Sequence, residues 1–136
     1  MSTMQNKNLL LHYNKEVVEK GDMEVLKQIA TPDFINHSAP EGMSKGIDGI
    51  LYFFSGILHT AFTDLTVDIL DMIAENNKVV TRKEIKATHT NTLFGIEATG
   101  KKVTIKVIDI FTIVDGKLAE HWGENNFGAI VASLKG

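Results

Sequence analysis

The 136-residue chain has no cysteine, which excludes disulfides, thiolate catalysis and cysteine-based metal sites together. It also lacks an apolar run long enough to span a bilayer. The first residues, MSTMQNKNLLLHYNKEVVEKGD, hold only three consecutive leucines before polar residues return, so no secretory signal is expected either. Positive charge is not in excess: 14 Lys and Arg stand against 17 Asp and Glu, for a formal charge of -3, and the lysines are scattered. On that footing neither a nucleic-acid partner nor a membrane partner is expected, and a cytoplasmic location follows by default. The histidine spacings of metal sites (HxxxH, HxH, HExxH) are missing, and no serine stands in a glycine elbow. GIEATG, ending at Gly100, lacks the lysine and helix start of a phosphate loop. Neither a metal nor a cofactor is expected.

What is present reads as one ordinary domain over residues 1–136, 43% hydrophobic and 23% charged, without repeats or low-complexity segments. Helical patterns fill the first half and strand patterns the second, the order of an α+β domain with an antiparallel sheet. Leu9, Leu10, Tyr13 and Val17 recur at helical spacing from about Met4 to Lys20, and Gly21 stops that helix. Asp22 caps a short second helix that ends before Pro32, and Phe34 to His37 reads as a short strand. A third helix fits Ile47 to Ala61 through Ile50, Phe53, Phe54, Ile57 and Leu58. Strands are expected at about Thr63–Ala74, Lys78–His89, Lys101–Val114 and Lys117–Asn125, then a helical turn over Phe127–Leu134.

One acidic residue interrupts an otherwise apolar strand face. Counting by twos from Val103 gives Ile105, Val107, Asp109, Phe111 and Ile113. An unpaired carboxylate there costs several kcal/mol even after relaxation, so Asp109 needs a partner or a job. His121 on the next strand is the candidate, because a carboxylate beside an imidazole fixes its tautomer and raises its basicity. The turn at Val114-Asp115-Gly116-Lys117 decides the register. A two-residue type I′ loop sets Asp109 opposite Trp122. A three-residue loop with Gly116 as a bulge sets it opposite His121 and gathers Ala119, His121 and Gly123 on its face, leaving Leu118, Glu120 and Trp122 on the other. The second register is favoured. The alternative to a functional role is a structural carboxylate capped by a buried hydroxyl or histidine.

His89, in KATHTNT, is a further candidate for polarising an oxygen, balanced against a plain strand-end histidine. Asn36 and His37, at the end of the short strand, are candidate ligand contacts together with Val107 and Phe111 on either side of Asp109. His12 and His59 lie on helices without a nearby partner and carry no such expectation.

The run of segments GDMEVLKQIATPDFINH, AFTDLTVDILDMIAENNKVVTR, THTNTLFGIEATGKKV and IDIFTIVDGKLAEHW resembles the SnoaL-like polyketide cyclase family of the nuclear transport factor 2-like superfamily, in order and spacing over nearly the whole chain. The resemblance implies a cone of strongly curved antiparallel sheet closed by three helices, with a pocket inside. It also implies ring closure by intramolecular aldol condensation with acid/base residues and no cofactor or metal. Carried over by position, the family's pocket histidine falls on Asp109 and its catalytic aspartate on Gly123. The expected activity is therefore proton transfer on a small, largely apolar carbonyl compound, with Asp109 as base, His121 orienting it or exchanging protons, and His89 or His37 polarising an oxygen. Its alternative is a binding protein that holds an apolar ligand without turnover. A homodimer is expected through the outer sheet face, where Ile108, Ile110, Trp122 and Leu118 are placed.

Overall fold

We describe a computed structural model in which residues 2–136 are placed. The first helix, α1 (Thr3–His12), opens on a reciprocal cap in which Gln5 donates its backbone N–H to Ser2 Oγ and its side-chain oxygen accepts from the Ser2 N–H. It continues through Tyr13–Glu19 in a wider winding, closed by a Lys20 N–H to Lys15 carbonyl bond. Along it two neighbouring pairs face inward, Tyr13 with Asn14 and Val17 with Val18. Gly21 ends the helix at φ 73°, and a Cβ there would lie 3.0 Å from the His59 ring. The His59 ring in turn bonds the Val18 carbonyl at 2.8 Å.

Asp22 caps α2 (Met23–Ile29) by accepting from the Glu24 and Val25 N–H groups. Next come β1 (Ala30–Asn36) and α3 (Ile47–Tyr52), the latter prolonged by a second wide segment over Phe53–Leu58 and a closing turn at His59–Ala61. The long strands are β2 (Phe62–Glu75), β3 (Lys78–His89), β4 (Lys102–Val114) and β5 (Lys117–Asn125), followed by a C-terminal helix over Phe127–Leu134. They form one five-stranded sheet in the order β1-β5-β4-β3-β2. The long strands pair antiparallel as expected, while β1 joins β5 in parallel and makes the sheet mixed.

Irregular positions bend the sheet. Pairing shifts in β2 between Thr63 and Thr66 and between Ile69 and Asp71, and in β5 beside Ala119. The break after Ile69 lets Val67, Ile69, Met72 and Ala74 all point inward although their spacing changes phase. The inner faces of β3 and β4 bury Val79, Ile85, Ala87, Val103, Ile105, Phe111 and Ile113 against Leu10, Tyr13, Val17, Phe54 and Leu58 of the helices. This is the core, and it supplies the apolar surface that drives the sheet to curl around the helices.

Neither expected hairpin register is the one observed. Asp115 and Gly116 form a two-residue turn with φ 50° and 75°, and Val114 pairs with Lys117 as a type I′ loop demands. Ala119 then bulges, so Phe111 faces His121 and Asp109 faces Gly123. The same bulge turns Leu118 inward beside Ile113, where it is fully buried. Leu118 is therefore core and contributes nothing to the outer face.

Candidate functional site

The inner face of the sheet carries a chain of polar side chains through the core. Asp109 is flanked by Lys83 on β3 and His121 on β5. Neither lies directly opposite it. Thr81 pairs with Asp109 on one side and Gly123 on the other, so both partners reach it diagonally. Lys83 Nζ lies 2.9 Å from Asp109 Oδ2, and His121 Nε2 lies 2.6 Å from Oδ1. Lys83 Nζ also donates to Asn14 Oδ1 at 2.7 Å and stands 5.4 Å from the Tyr13 ring centroid. Asn14 is held in turn by its own amide bond to the Leu10 carbonyl. Asn14 faces the sheet because it lies on the same helical stripe as Leu10, Tyr13 and Val17.

At the other end, His121 Nδ1 lies 2.8 Å from Asn36 Oδ1, the last residue of β1. The parallel pairing of Asn36 with His121 makes this contact, and the His37 N–H to His121 carbonyl bond locks it. Exposure rises along the series: the side chains of Lys83, Asp109 and His121 are 3%, 7% and 17% exposed. His121 is thus the member that solvent or a ligand reaches.

The electrostatics follow from burial and charge. Burial alone pushes the Asp109 carboxyl up, but the Lys83 charge and the His121 bond outweigh it and hold the group at about 2. Both carboxylate oxygens are engaged, and the group is ionised throughout the neutral range. Asp109 is therefore poorly suited to the role of base expected from its sequence position. A base needs a proton affinity near working pH, and that of Asp109 is held well below it. It is suited to holding the His121 ring. Tyr13 lies at the same centre, its ring 5.1 Å from Phe111, and burial followed by the Asp109 charge pushes its phenol well above the ordinary range.

Gly123 explains why the pair can form. A Cβ on Gly123 would stand 2.9 Å from Asp109 Oδ1 and 2.9 Å from His121 Cε1. The position that the family resemblance assigns to a catalytic aspartate is here the space through which carboxylate and imidazole meet. Its backbone N–H donates to Ser38 Oγ at 2.8 Å.

The other sequence candidates divide. Phe111 packs on His121 with centroids 4.8 Å apart, and Asn36 joins the chain directly. Val107, half-buried on the Asp109 face, is the cross-strand partner of Lys83. His89 is not brought to Asp109: it shares the inner face of β3 with Lys83 but lies six residues further along, about 20 Å at strand spacing. There its Nδ1 meets the Thr99 hydroxyl and backbone N–H, and its Nε2 is buried without a partner. His37 is likewise elsewhere. Alternation after the inward Asn36 sends it to the outer face, where it stacks on Trp122 at 4.5 Å and bonds Glu120 at 2.9 Å. Lys83 and Asn14 were missed by the sequence reading.

Two open clefts, of about 380 and 240 Å³, border this chain of contacts at its Lys83 end: Lys83 and Val107 line the larger and Asn14 the smaller. The larger follows the outer sheet around Leu70, Arg82, Ile108 and Glu124, and the smaller lies between the first helix and β2 beside Asn14 and Ile69. Neither is lined by Asp109 or His121. Among the described residues no group of three or more His, Asp or Glu side chains is placed to hold a metal ion. Among the described residues no helix is long and apolar enough to cross a membrane.

A curved sheet wrapped on helices, with a carboxylate–imidazole pair on its inner face, defines an α+β domain of the cone-shaped class. The sequence matches the SnoaL-like polyketide cyclase family over residues 8–134, and the chain belongs to that family. Solved structures agree. TsrD from Streptomyces laurentii is similar at 25% identity and TM-score 0.83, with 98% of this chain and 97% of that one covered. AclR from Streptomyces galilaeus, a candidate hydroxylase, is similar at 25% identity and TM-score 0.87, with 98% and 83% covered. IdmH from Streptomyces antibioticus, a candidate polyketide cyclase, shares the fold at 23% identity and TM-score 0.82, with 97% and 99% covered. No curated protein matches the chain.

Proposed function

We propose that this chain is a cofactor-independent acid/base protein acting on a small, largely apolar carbonyl compound, with His121 as the proton-exchanging group and Asp109 as its fixed partner. The observation that carries the reading is the 2.6 Å bond from His121 Nε2 to a buried, ionised Asp109 that Lys83 anchors from behind. A buried carboxylate sets the ring's orientation and stabilises its charged form, which is what a proton-exchanging imidazole needs. Tyr13, Phe111 and Val107 supply the apolar surroundings. The names of the similar structures, a candidate cyclase and a candidate hydroxylase, differ in reaction, so the reading rests on the site.

The test is exchange of α-protons for deuterium in a panel of small cyclic ketones and β-diketones, followed by NMR. The parent protein accelerates exchange, and His121→Gln reduces it by about two or more powers of ten, the usual worth of a general acid or base. Exchange at the buffer rate with every compound, or equal rates in parent and His121→Gln, contradicts the reading. A second reading, a protein that binds such a compound without turnover, is favoured by one observation: both Asp109 oxygens and both His121 nitrogens already have partners. It predicts binding of an apolar carbonyl compound without exchange.

We also propose a homodimer through the outer sheet face, where Ile73, Leu70 and Ile108 are 63%, 45% and 50% exposed. Sedimentation at micromolar concentration tests it, and a clean monomer contradicts it.

A further inference from the structure

Which hydrogens the His121 ring carries can be read from its neighbours. Nε2 faces Asp109 Oδ1, and an ionised carboxylate only accepts, so Nε2 donates. Nδ1 faces Asn36 Oδ1 at 2.8 Å. The Asn36 amide could in principle turn its nitrogen toward the ring, but the Ser38 backbone N–H donates to the same atom at 3.1 Å. A backbone N–H only donates, so that atom is the amide oxygen, and Nδ1 must donate as well. The Ser38 segment cannot easily move aside, because Ser38 Oγ accepts from the Gly123 N–H and the Asn36 N–H is tied to the Lys45 carbonyl at 2.7 Å.

We infer that His121 rests as an imidazolium clamped between two oxygen acceptors, and that the Asn36 carboxamide oxygen occupies the place where a ligand's carbonyl oxygen binds. The inference rests on the proposed acid/base reading and deepens it by naming the atom that meets the ligand. With Lys83 and His121 cationic and Asp109 anionic, the site carries one positive charge in excess, which favours an oxygen bearing partial negative charge. Of the two acceptors on the ring, Asp109 is buried and tied to Lys83, whereas Asn36 is only half-buried at the end of an edge strand. Asn36 is therefore the one a ligand displaces. The ring then begins the reaction as a hydrogen-bond donor that polarises a carbonyl and passes its Nδ1 proton to the developing enol oxygen while the α-proton leaves to solvent water, and the ligand of this site is a carbonyl compound that offers that acceptor. Asn36 acts as a positioning residue: it keeps the donor charged and in line until a ligand replaces it.

The test uses the full chain, nitrogen-15 NMR of the histidine rings at neutral pH, and cyclopentanone as probe, with cyclopentane as the analogue without oxygen. Two protonated ring nitrogens on His121 in the parent protein are expected, and a bare Nδ1 overturns the inference. Removing the internal acceptor in Asn36→Ala should lower the cyclopentanone concentration that shifts the Nδ1 resonance by roughly three- to tenfold, the worth of one competing hydrogen bond. Cyclopentane should leave that resonance in place. An equal response of parent and variant to cyclopentanone, or an equal response of the variant to both probes, overturns it too. If Asn36→Ala does not fold, the parent spectrum decides alone. Absence of α-proton exchange beside a doubly protonated, ketone-responsive ring sinks the proposed reaction and leaves this inference standing.

Discussion

The molecule contains the same pair of groups twice, once on each side of one sheet. His121 meets Asp109 inside at 2.6 Å, and His37 meets Glu120 outside at 2.9 Å. Both carboxyls are held below their ordinary range, but the balance of causes differs. For Asp109, burial pushes up and is overcome by Lys83 and His121. For Glu120, the His37 bond comes first and burial counts for less. The inner pair therefore exists only because a third charge and two amides complete it, whereas water can replace either member of the outer pair. Distance alone does not distinguish them. What differs is the cost of losing a partner, which is large where no water can enter and small where it can.

Removing the inner carboxylate is the strongest way to break this contrast. Asp109→Ala leaves the Lys83 ammonium buried without a counter-charge and should destabilise the fold by about 3–5 kcal/mol in urea unfolding. Replacing both charges at once, as Lys83→Met with Asp109→Leu, should recover most of that loss, because a well-packed apolar pair needs no compensation. Filling the gap between carboxylate and imidazole comes next. Gly123→Ala puts a methyl 2.9 Å from Asp109 Oδ1, so it should cost about 1–3 kcal/mol and depress any proton exchange along with it.

Acid comes third. The Asp109 carboxyl is depressed from 3.8 to about 2 in the fold, so its contribution is complete above about 3.8 and is lost as pH falls toward 2. At about 1.4 kcal/mol per pH unit this amounts to about 2 kcal/mol. A stability profile of Asp109→Asn should be correspondingly flatter over that window than the parent's, and parallel profiles would contradict the assignment. The smallest effect is outside: His37→Ala should cost no more than about 1 kcal/mol, since its pair with Glu120 is open to solvent and only its stacking on Trp122 is lost.

The sequence showed more of the fold than of the site. Helix boundaries at Gly21 and Asp22, the third helix from Ile47, and all four long strands were legible because each is written in local chemistry, a cap, a stop or a period. The parallel pairing of β1 with β5 was not, as it depends on where a helix delivers the chain. Asp109 was legible by counting in twos. The same count along β3 runs Val79, Thr81, Lys83, Ile85, Ala87 and marks Lys83 as an inward cation, so that signal was present and unused. Asn14 was marked as well, since it stands four residues after Leu10 and three before Val17 on the buried helical stripe, but an asparagine there gives no sign of which strand it meets. The register was missed because the turn obeyed the two-residue rule and the bulge came at Ala119 instead, an alanine without the glycine signature that bulges often show. His37 and His89 have the right chemistry on the wrong face and the wrong end of the sheet.

The central claim is that His121 and Asp109 act as one coupled unit while His37 and Glu120 do not. Two double-mutant cycles on unfolding free energy measure this directly, one with Asp109→Asn and His121→Gln, the other with Glu120→Gln and His37→Gln. A coupling of at least about 1 kcal/mol inside and none measurable outside is the predicted result. Additive effects inside, or equal couplings on the two faces, would contradict it.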